Sequence, residues 1–341
     1  MDPSDPSSFT LTQATLSTGR TYRYADQVPG NYNPSTSVTI LCVHGFPDFW
    51  YGWRYLIPPW VNAGHRVLAP DMLGYGGTDK PFDVSEYSTK KLSADLAALL
   101  DHSGVKAGDP VIVVGHDWGS FVAQRFALWH PDRLKGLVIL SVAYTPPSPV
   151  YLPIEKVVEL APNLKYQAYF NSQESTKDLD ANVSRVVRVL YGSLPDPSVA
   201  PQDSSVSMKD LLTGVTSIDW LDCLLSDKDA KIYEEMLSKG MNGPLNYYRT
   251  HKYRHDEEQA AGLPTNMPDH ISVIFIYGSW DLTVVLTAAE KAKKFIQNLE
   301  TVKVNDVAHW VTINPKARKI VEDKVLQLAS DVLKRSYLGK L

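Results

Sequence analysis

Cysteine is nearly absent from this sequence: two residues, Cys42 and Cys223, in a chain of 341. That excludes a disulfide framework and a cysteine zinc site, and both thiols are expected to be buried. No charge dominates. Lys and Arg number 34 against 38 Asp and Glu, without a basic block, so the electrostatic footprint of a nucleic-acid partner is missing. No apolar run approaches the roughly 18 residues that cross a bilayer. The N-terminal MDPSDPSSF has neither the basic nor the apolar region of a secretory signal. The expectation is a cytoplasmic chain without a membrane anchor, as a monomer or homodimer. The C-terminal Gly339-Lys-Leu341 differs from the peroxisomal Ser-Lys-Leu ending at its first position, which leaves the cytosol as the default.

What is present is a core-forming composition, 44% hydrophobic and 21% charged, in a length of one large domain or two ordinary ones. Short apolar runs rich in β-branched residues cover Val38 to Val43, Arg66 to Ala69, Val111 to Val114, Leu137 to Leu140, Ile271 to Tyr277 and Val302 to Val304. Helical spacings intervene, as in Leu92, Leu96 and Leu99, in Ser120 to His130, and in Val321, Val325, Leu328 and Val332. Strands alternating with helices predict an α/β fold, a mostly parallel sheet covered on both faces.

Between Leu140 and Ile271 the sequence turns Tyr-, Pro- and Ser-rich, with helical pieces and no convincing core strand. An insertion between two strands of one sheet reads as a helical lid over the strand ends, where open α/β sheets bind ligands. The expected division is 1–144 and 265–341 for a core in two parts and 145–264 for the lid. Pro146, Pro147, Pro149, Pro264 and Pro268 are read as hinges, and Ser193 to Ser207 as an exposed loop.

The most informative segment is Val111-Ile-Val-Val-Gly-His-Asp-Trp-Gly-Ser120. A strand runs through GxDxG directly into a helix, the context of a nucleophile elbow. Its central residue is Asp117. A carboxylate of reference pKa near 3.9 is ionised at neutral pH and can attack carbon directly, so the substrate is expected to offer an electrophilic sp³ carbon. A helix-capping aspartate is the plainer reading of that position taken alone.

Its neighbours weigh against the plainer reading. Val43-His-Gly-Phe-Pro47 follows the first parallel-type strand, where the loop completing an oxyanion hole belongs, with the Phe46 and Trp118 N–H groups as the two donors. His44 and His116 read as structural hydrogen-bonding residues. Strand Val273 to Tyr277 leads to Asp281, and Val302 to Val304 leads to His309. Nucleophile, acid and histidine thus follow the chain order of this architecture's triad. At a reference pKa of ~6.5 the imidazole is expected to be largely neutral, a base for water, with Asp281 orienting it. Asp306 is the rival orienter.

Five motifs together carry a family resemblance: HGFPDFWYGWR from His44, DMLGYGGTDKP from Asp71, GHDWGS from Gly115, GSWD from Gly278 and AHW from Ala308. Over essentially its full length the chain resembles the soluble epoxide hydrolases of the α/β-hydrolase superfamily, nearest to their single-polypeptide microbial and plant types. The resemblance implies an α/β-hydrolase core with an inserted helical cap and no metal or organic cofactor. Its small-molecule epoxide would be opened to a vicinal diol through an ester on Asp117. It also implies two cap tyrosines that protonate the epoxide oxygen. Tyr166, in Tyr-Gln-Ala-Tyr-Phe170, and Tyr248, in Asn246-Tyr-Tyr-Arg249, stand in their places, with Tyr169 and Tyr247 as adjacent rivals. Trp50, Gln167 and Phe170 are expected in the substrate pocket. The competing readings are a haloalkane or haloacid dehalogenase using the same aspartate, and a ligand-binding protein of this fold without turnover.

Overall fold

A computed structural model describes residues 1–193, 207–219 and 221–338. The Ser193 to Ser207 loop expectation falls almost wholly outside the described residues, as does Gly339-Lys-Leu341. Eight strands form one sheet: β1 (Leu11–Thr15), β2 (Thr21–Gln27), β3 (Thr39–Val43), β4 (Arg66–Pro70), β5 (Val111–His116), β6 (Gly136–Leu140), β9 (Ser272–Gly278) and β10 (Leu299–Val304). The numbers β7 and β8 belong to two-residue strands, Gly192–Ser193 and Asp222–Cys223, which pair outside the main sheet.

The order across the sheet is β1-β2-β4-β3-β5-β6-β9-β10. From β4 to β10 every pairing is parallel. β3, β5 and β6 are buried along their whole length, which is why they read as continuous apolar runs rather than as alternation. The six predicted strands are all present. The edge hairpin of β1 and β2 was not foreseen. Only Tyr22 and Tyr24, alternating into the core among polar neighbours, carry its signal.

Helices α1 (Ile57–Asn62), α2 (Thr89–His102), α3 (Trp118–Trp129), α12 (Leu286–Ala292) and α13 (Pro315–Leu338) belong to the strand-and-helix alternation. Leu92, Leu96 and Leu99 of α2 and Val321, Val325, Leu328 and Val332 of α13 are buried, as their helical spacing predicts. Ser88 begins α2 by accepting the Lys91 N–H. Cys42 lies in the core, whereas Cys223, on β8, is half-buried rather than buried. Among the described residues no helix is long and apolar enough to cross a membrane.

Between β6 and β9 the chain forms α4 (Ile154–Leu160), α5 (Tyr166–Asn171), α6 (Glu174–Ala181), α7 (Val183–Leu190), α8 (Met208–Thr213), α9 (Asp227–Leu237), α10 (Asn242–Arg249) and α11 (His251–Ala261). These helices are tied to the loops that leave the strands at their C-terminal ends. Tyr191 donates to the Pro47 carbonyl at 2.6 Å, Tyr247 to the Leu73 carbonyl at 2.9 Å and Tyr233 to Asp48 at 2.9 Å. The sheet reverses its winding direction between β3 and β5, where Val43 lies opposite Gly115. The loop after β3 and the turn after β5 therefore meet at the point where such sheets bind ligands.

Candidate active site

At the end of β5, Asp117 adopts φ 53° and ψ −123°, and α3 starts at the next residue. Positive φ is uncommon for a side chain larger than hydrogen. Two glycines permit the arrangement. A Cβ on Gly119 would collide with the Val43 carbonyl, and one on Gly45 would stand 2.5 Å from the Asp117 side chain. The Phe46 N–H donates to Asp117 Oδ1 at 2.8 Å. Burial raises the carboxyl pKa, while the charge of His309 and the N–H groups of Phe46 and Trp118 oppose that rise. Both N–H groups expected of an oxyanion hole thus bear on this carboxylate.

The loops after β9 and β10 are bound to each other, with the Trp280 N–H on the Val307 carbonyl at 2.9 Å. His309 Nδ1 consequently stands 3.0 Å from Asp281 Oδ2, and its Nε2 3.7 Å from Asp117 Oδ2. The other Asp281 oxygen accepts from the Thr283 N–H at 2.9 Å and the Thr283 hydroxyl at 2.7 Å. Burial alone would raise the Asp281 pKa, but His309 and Thr283 hold it below the usual value. For His309 burial works downward. It is outweighed by the charge and hydrogen bond of Asp281, then by the charge of Asp117, which carry the imidazole up to about 9. This corrects the expectation of a neutral histidine at pH 7. The reference value omits the two carboxylates that the fold sets on either side of the ring.

Asp306 is exposed, with its carboxylate 3.8 Å from Lys316, so it does not compete with Asp281. The ring of His116 packs 4.8 Å from that of His309. Its Nε2 and the Ser141 hydroxyl hold the His309 carbonyl at 3.0 and 2.9 Å. His44 bridges the Gly45 carbonyl and the Met72 N–H. Burial, the leading cause in each, lowers both His44 and His116 to about 3, and both serve as neutral structural residues.

Tyr166 begins α5 and Tyr248 lies on α10, with ring centroids 6.4 Å apart. Tyr248 packs edge-on against Phe46 at 5.2 Å and Trp118 at 5.0 Å. Burial, followed by the charge of Asp117, raises both phenols above their ordinary pKa. The adjacent tyrosines have other partners. Tyr169 donates to Asp178 at 2.9 Å, and Tyr247 to the Leu73 carbonyl. Arg249 binds the Ser172 carbonyl at 2.7 Å and the Thr176 hydroxyl at 2.8 Å, fixing the helix that carries Tyr248 against the segment that follows Tyr166.

A cavity of ≈ 390 Å³ opens on Asp117, Trp118, Tyr166, Gln167 and Thr283, with Val142, Leu152, Val157 and Val285 among its apolar walls. That is the size and character of a small-molecule site. Gln167 lines it as expected, and its amide reaches the Tyr166 hydroxyl at 3.4 Å. Trp50 and Phe170, also expected there, are not lining residues. Trp50 packs on Phe9 and Phe49, and Phe170 is enclosed by Phe46, Tyr166 and Tyr248. Their bulk goes into supporting the site. Tyr248, 2% exposed, likewise stands outside the lining. Thr283 escaped the sequence reading, although a threonine two residues after an aspartate is a turn signal. Arg125, Arg254 and Glu258, which also line the cavity, left no signal distinguishable from a solvated helix face.

The model of the alpha/beta hydrolase fold family matches residues 38–315. The chain is similar to the epoxide hydrolase srdG of Neurospora crassa, at 30% identity across 87% of this chain and 89% of that protein. With the bifunctional epoxide hydrolase 2 of Rattus norvegicus it shares 27% identity across 88% of its own length, but it spans only 53% of that larger protein. The crystal structure of epoxide hydrolase A from Mycobacterium thermoresistibile matches with a TM-score of 0.78 at 27% identity, covering 94% of this chain and 97% of the other.

Proposed function

The chain belongs to the alpha/beta hydrolase fold family, among the epoxide hydrolases, and from that premise we propose that it opens epoxides to vicinal diols in two half-reactions at Asp117. In this reading residues 145–264 are the cap over a core made of 1–144 and 265–341.

In the first half-reaction Asp117 attacks one epoxide carbon. The carbon–oxygen bond of the ring breaks, its electron pair passes to oxygen, and a phenol of Tyr166 or Tyr248 gives that oxygen its proton. In the second, His309 takes a proton from water, and the resulting hydroxide adds to the Asp117 carbonyl carbon. The N–H groups of Phe46 and Trp118 stabilise the oxyanion, a contribution of about 3 kcal/mol for each such donor. Collapse expels the diol oxygen, which takes the proton from His309. The regenerated carboxyl group gives its proton to His309, which restores the resting ion pair.

The histidine's charge fits this order. While Asp117 is anionic, His309 sits between two carboxylates and is held as a cation. Ester formation cancels the Asp117 charge, removing one of the influences that raise His309, so the imidazolium passes its proton to the phenolate left by ring opening and is a neutral base when water must be deprotonated.

The observation that supports the epoxide reading is the pair of phenols beside the nucleophile: Tyr166 lines the cavity with Asp117, and Tyr248, 6.4 Å from it between ring centroids, packs on Trp118. They retain their protons at neutral pH, and a ring oxygen needs a proton where a departing halide does not. The test is an assay of diol formation from a panel of epoxides, with chloride and fluoride release from halogenated analogues measured alongside. Diol without halide is expected. Halide release without diol would overturn the reading in favour of a dehalogenase.

A further inference from the structure

The mouth of the cavity can be located from its own walls. Val150 and Leu152 line it and are nevertheless 62% and 41% exposed, so they stand where it meets solvent. Thr283, Val285 and Ala288 line it from the loop after β9 and from α12. The two sides are joined. Asn163 Nδ2 donates to the Leu282 carbonyl at 3.0 Å, which ties the short turn Pro162–Leu164, just after α4, to the loop after β9. Of the eleven large hydrophobic side chains exposed among the described residues, six fall in 150–160 and 280–286, and Leu160, Leu282 and Leu286 are the barest of these apart from Val150. Apolar side chains gathered in this way mark an interaction surface, where single scattered ones do not.

The charge around this patch has a sign. Lys165, which follows the turn, and Lys291, Lys293 and Lys294, at the end of α12, are exposed, and among the described residues none of them has a carboxylate partner. Lys156 on α4 is paired with Glu159 at 2.6 Å, and Asp281 is buried against His309. Glu155 and Glu290 are then the remaining carboxylates of these segments, two against four lysines. The chain as a whole carries a formal net charge of −4, so it is negative overall and positive at the cavity mouth. A two-fold contact between copies would set this patch against itself and bring the same lysines together. An anionic surface meets no such opposition, and the long lysine stems let their ammonium groups reach it while the leucines go deeper.

We infer that this face docks on an anionic phospholipid bilayer, with Leu160, Leu282 and Leu286 entering the boundary between headgroups and acyl chains and the lysines of α12 on the phosphates. Attachment of this kind needs neither a spanning helix nor a lipid anchor. Docked so, the cavity mouth opens toward lipid, and an apolar molecule dissolved in the bilayer reaches Asp117 without crossing water. The inference concerns binding. It goes beyond the epoxide reading and stands or falls apart from it.

The experiment is sedimentation of the full-length protein with vesicles of phosphatidylcholine alone and of an equal mixture of phosphatidylcholine and phosphatidylserine. At low ionic strength the mixed vesicles carry the protein down, the neutral ones take up at least ~10-fold less, and added salt narrows the difference. Leu282→Ser with Leu286→Ser lowers partitioning onto the mixed vesicles by about tenfold or more. Lys291→Gln with Lys293→Gln and Lys294→Gln lowers it by about the same factor. All five positions are exposed, so thermal melts of both variants match wild type. Wild type that stays in solution with both vesicles overturns the inference, as does equal uptake by the two, or uptake that neither variant reduces. Sedimentation velocity without vesicles supplies the rival outcome. A wild-type dimer that the leucine variant breaks into monomers gives the face to a second copy and also overturns the inference.

Discussion

His309 approaches Asp117 on the carboxylate oxygen that Phe46 does not hold, at 3.7 Å from Nε2 to Oδ2. That separation is too long for a good hydrogen bond but short enough for each charge to govern the other's pKa. The carboxylate and the imidazole are electrostatically coupled without being locked together.

The coupling separates the two half-reactions by mutation. His309→Gln should react once and stop, leaving protein heavier by the mass of one intact substrate, with steady turnover reduced by at least ~10²-fold. Asp117→Ala should gain no mass at all. Intact-protein mass spectrometry after exposure to excess epoxide checks both, and unmodified His309→Gln would argue against the ester.

The same coupling sets a pH dependence of stability. The folded-state pKa of His309 is about 9 against an unfolded value of ~6.5. Its stabilising contribution is therefore complete below pH ~6.5 and is lost as pH rises through about 9. The loss amounts to at most ~1.4 kcal/mol per pH unit in that window. Denaturant melts of wild type and His309→Gln from pH 6 to 10 should show the slope in the first and not from this group in the second.

Tyr166→Phe and Tyr248→Phe should each slow ring opening, by at least ~10-fold, and the double change by ~10²-fold or more. Pre-steady-state measurement of ester formation reports the step directly. Tyr169→Phe and Tyr247→Phe are the controls, because their hydroxyls are engaged by Asp178 and Leu73. A control that matched the loss seen at Tyr166 or Tyr248 would transfer the assignment.

In the proposed mechanism Thr283 would act through Asp281, whose Oδ1 it holds. Thr283→Val removes one hydrogen bond from the carboxylate and should slow ester hydrolysis by about 10-fold, consistent with a net hydrogen bond to a charged group. Ester formation should be nearly unchanged. Thr283→Ser, which keeps the hydroxyl, should restore the second step. Equal losses in both steps would mean that the substitution disturbs the pocket rather than the histidine.

Much of this arrangement was legible in one dimension because it is built where strands end. A run such as Val111 to Val114 announces a strand, and the residues just after it must lie at the sheet's C-terminal edge. That reasoning led from β3, β5, β9 and β10 to Phe46, Asp117, Asp281 and His309. Properties that arise between segments were not legible. The charge of His309 depends on carboxylates 28 and 192 residues away, by the numbering of Asp281 and Asp117. Trp50 sits next to the pocket motif in sequence, yet its ring turns toward Phe9. Arg254 lies in His-Lys-Tyr-Arg-His-Asp-Glu-Glu, a run that reads as a wet helix. Burial beside Arg125 singles it out, and burial is a property of the folded chain.

The unequal treatment of the two Asp117 oxygens has an isotopic corollary. In the proposed cycle, with Oδ1 anchored by Phe46, the same position would perform the attack every time, and that position would be the one refilled from the medium. Each product molecule would then depart with the oxygen admitted one cycle before, as though the protein kept a one-place queue. Shifted abruptly into heavy water-oxygen, it would deliver a first product with none of the label and a second with all of it. Scrambling of the two positions would spread the label over many cycles instead.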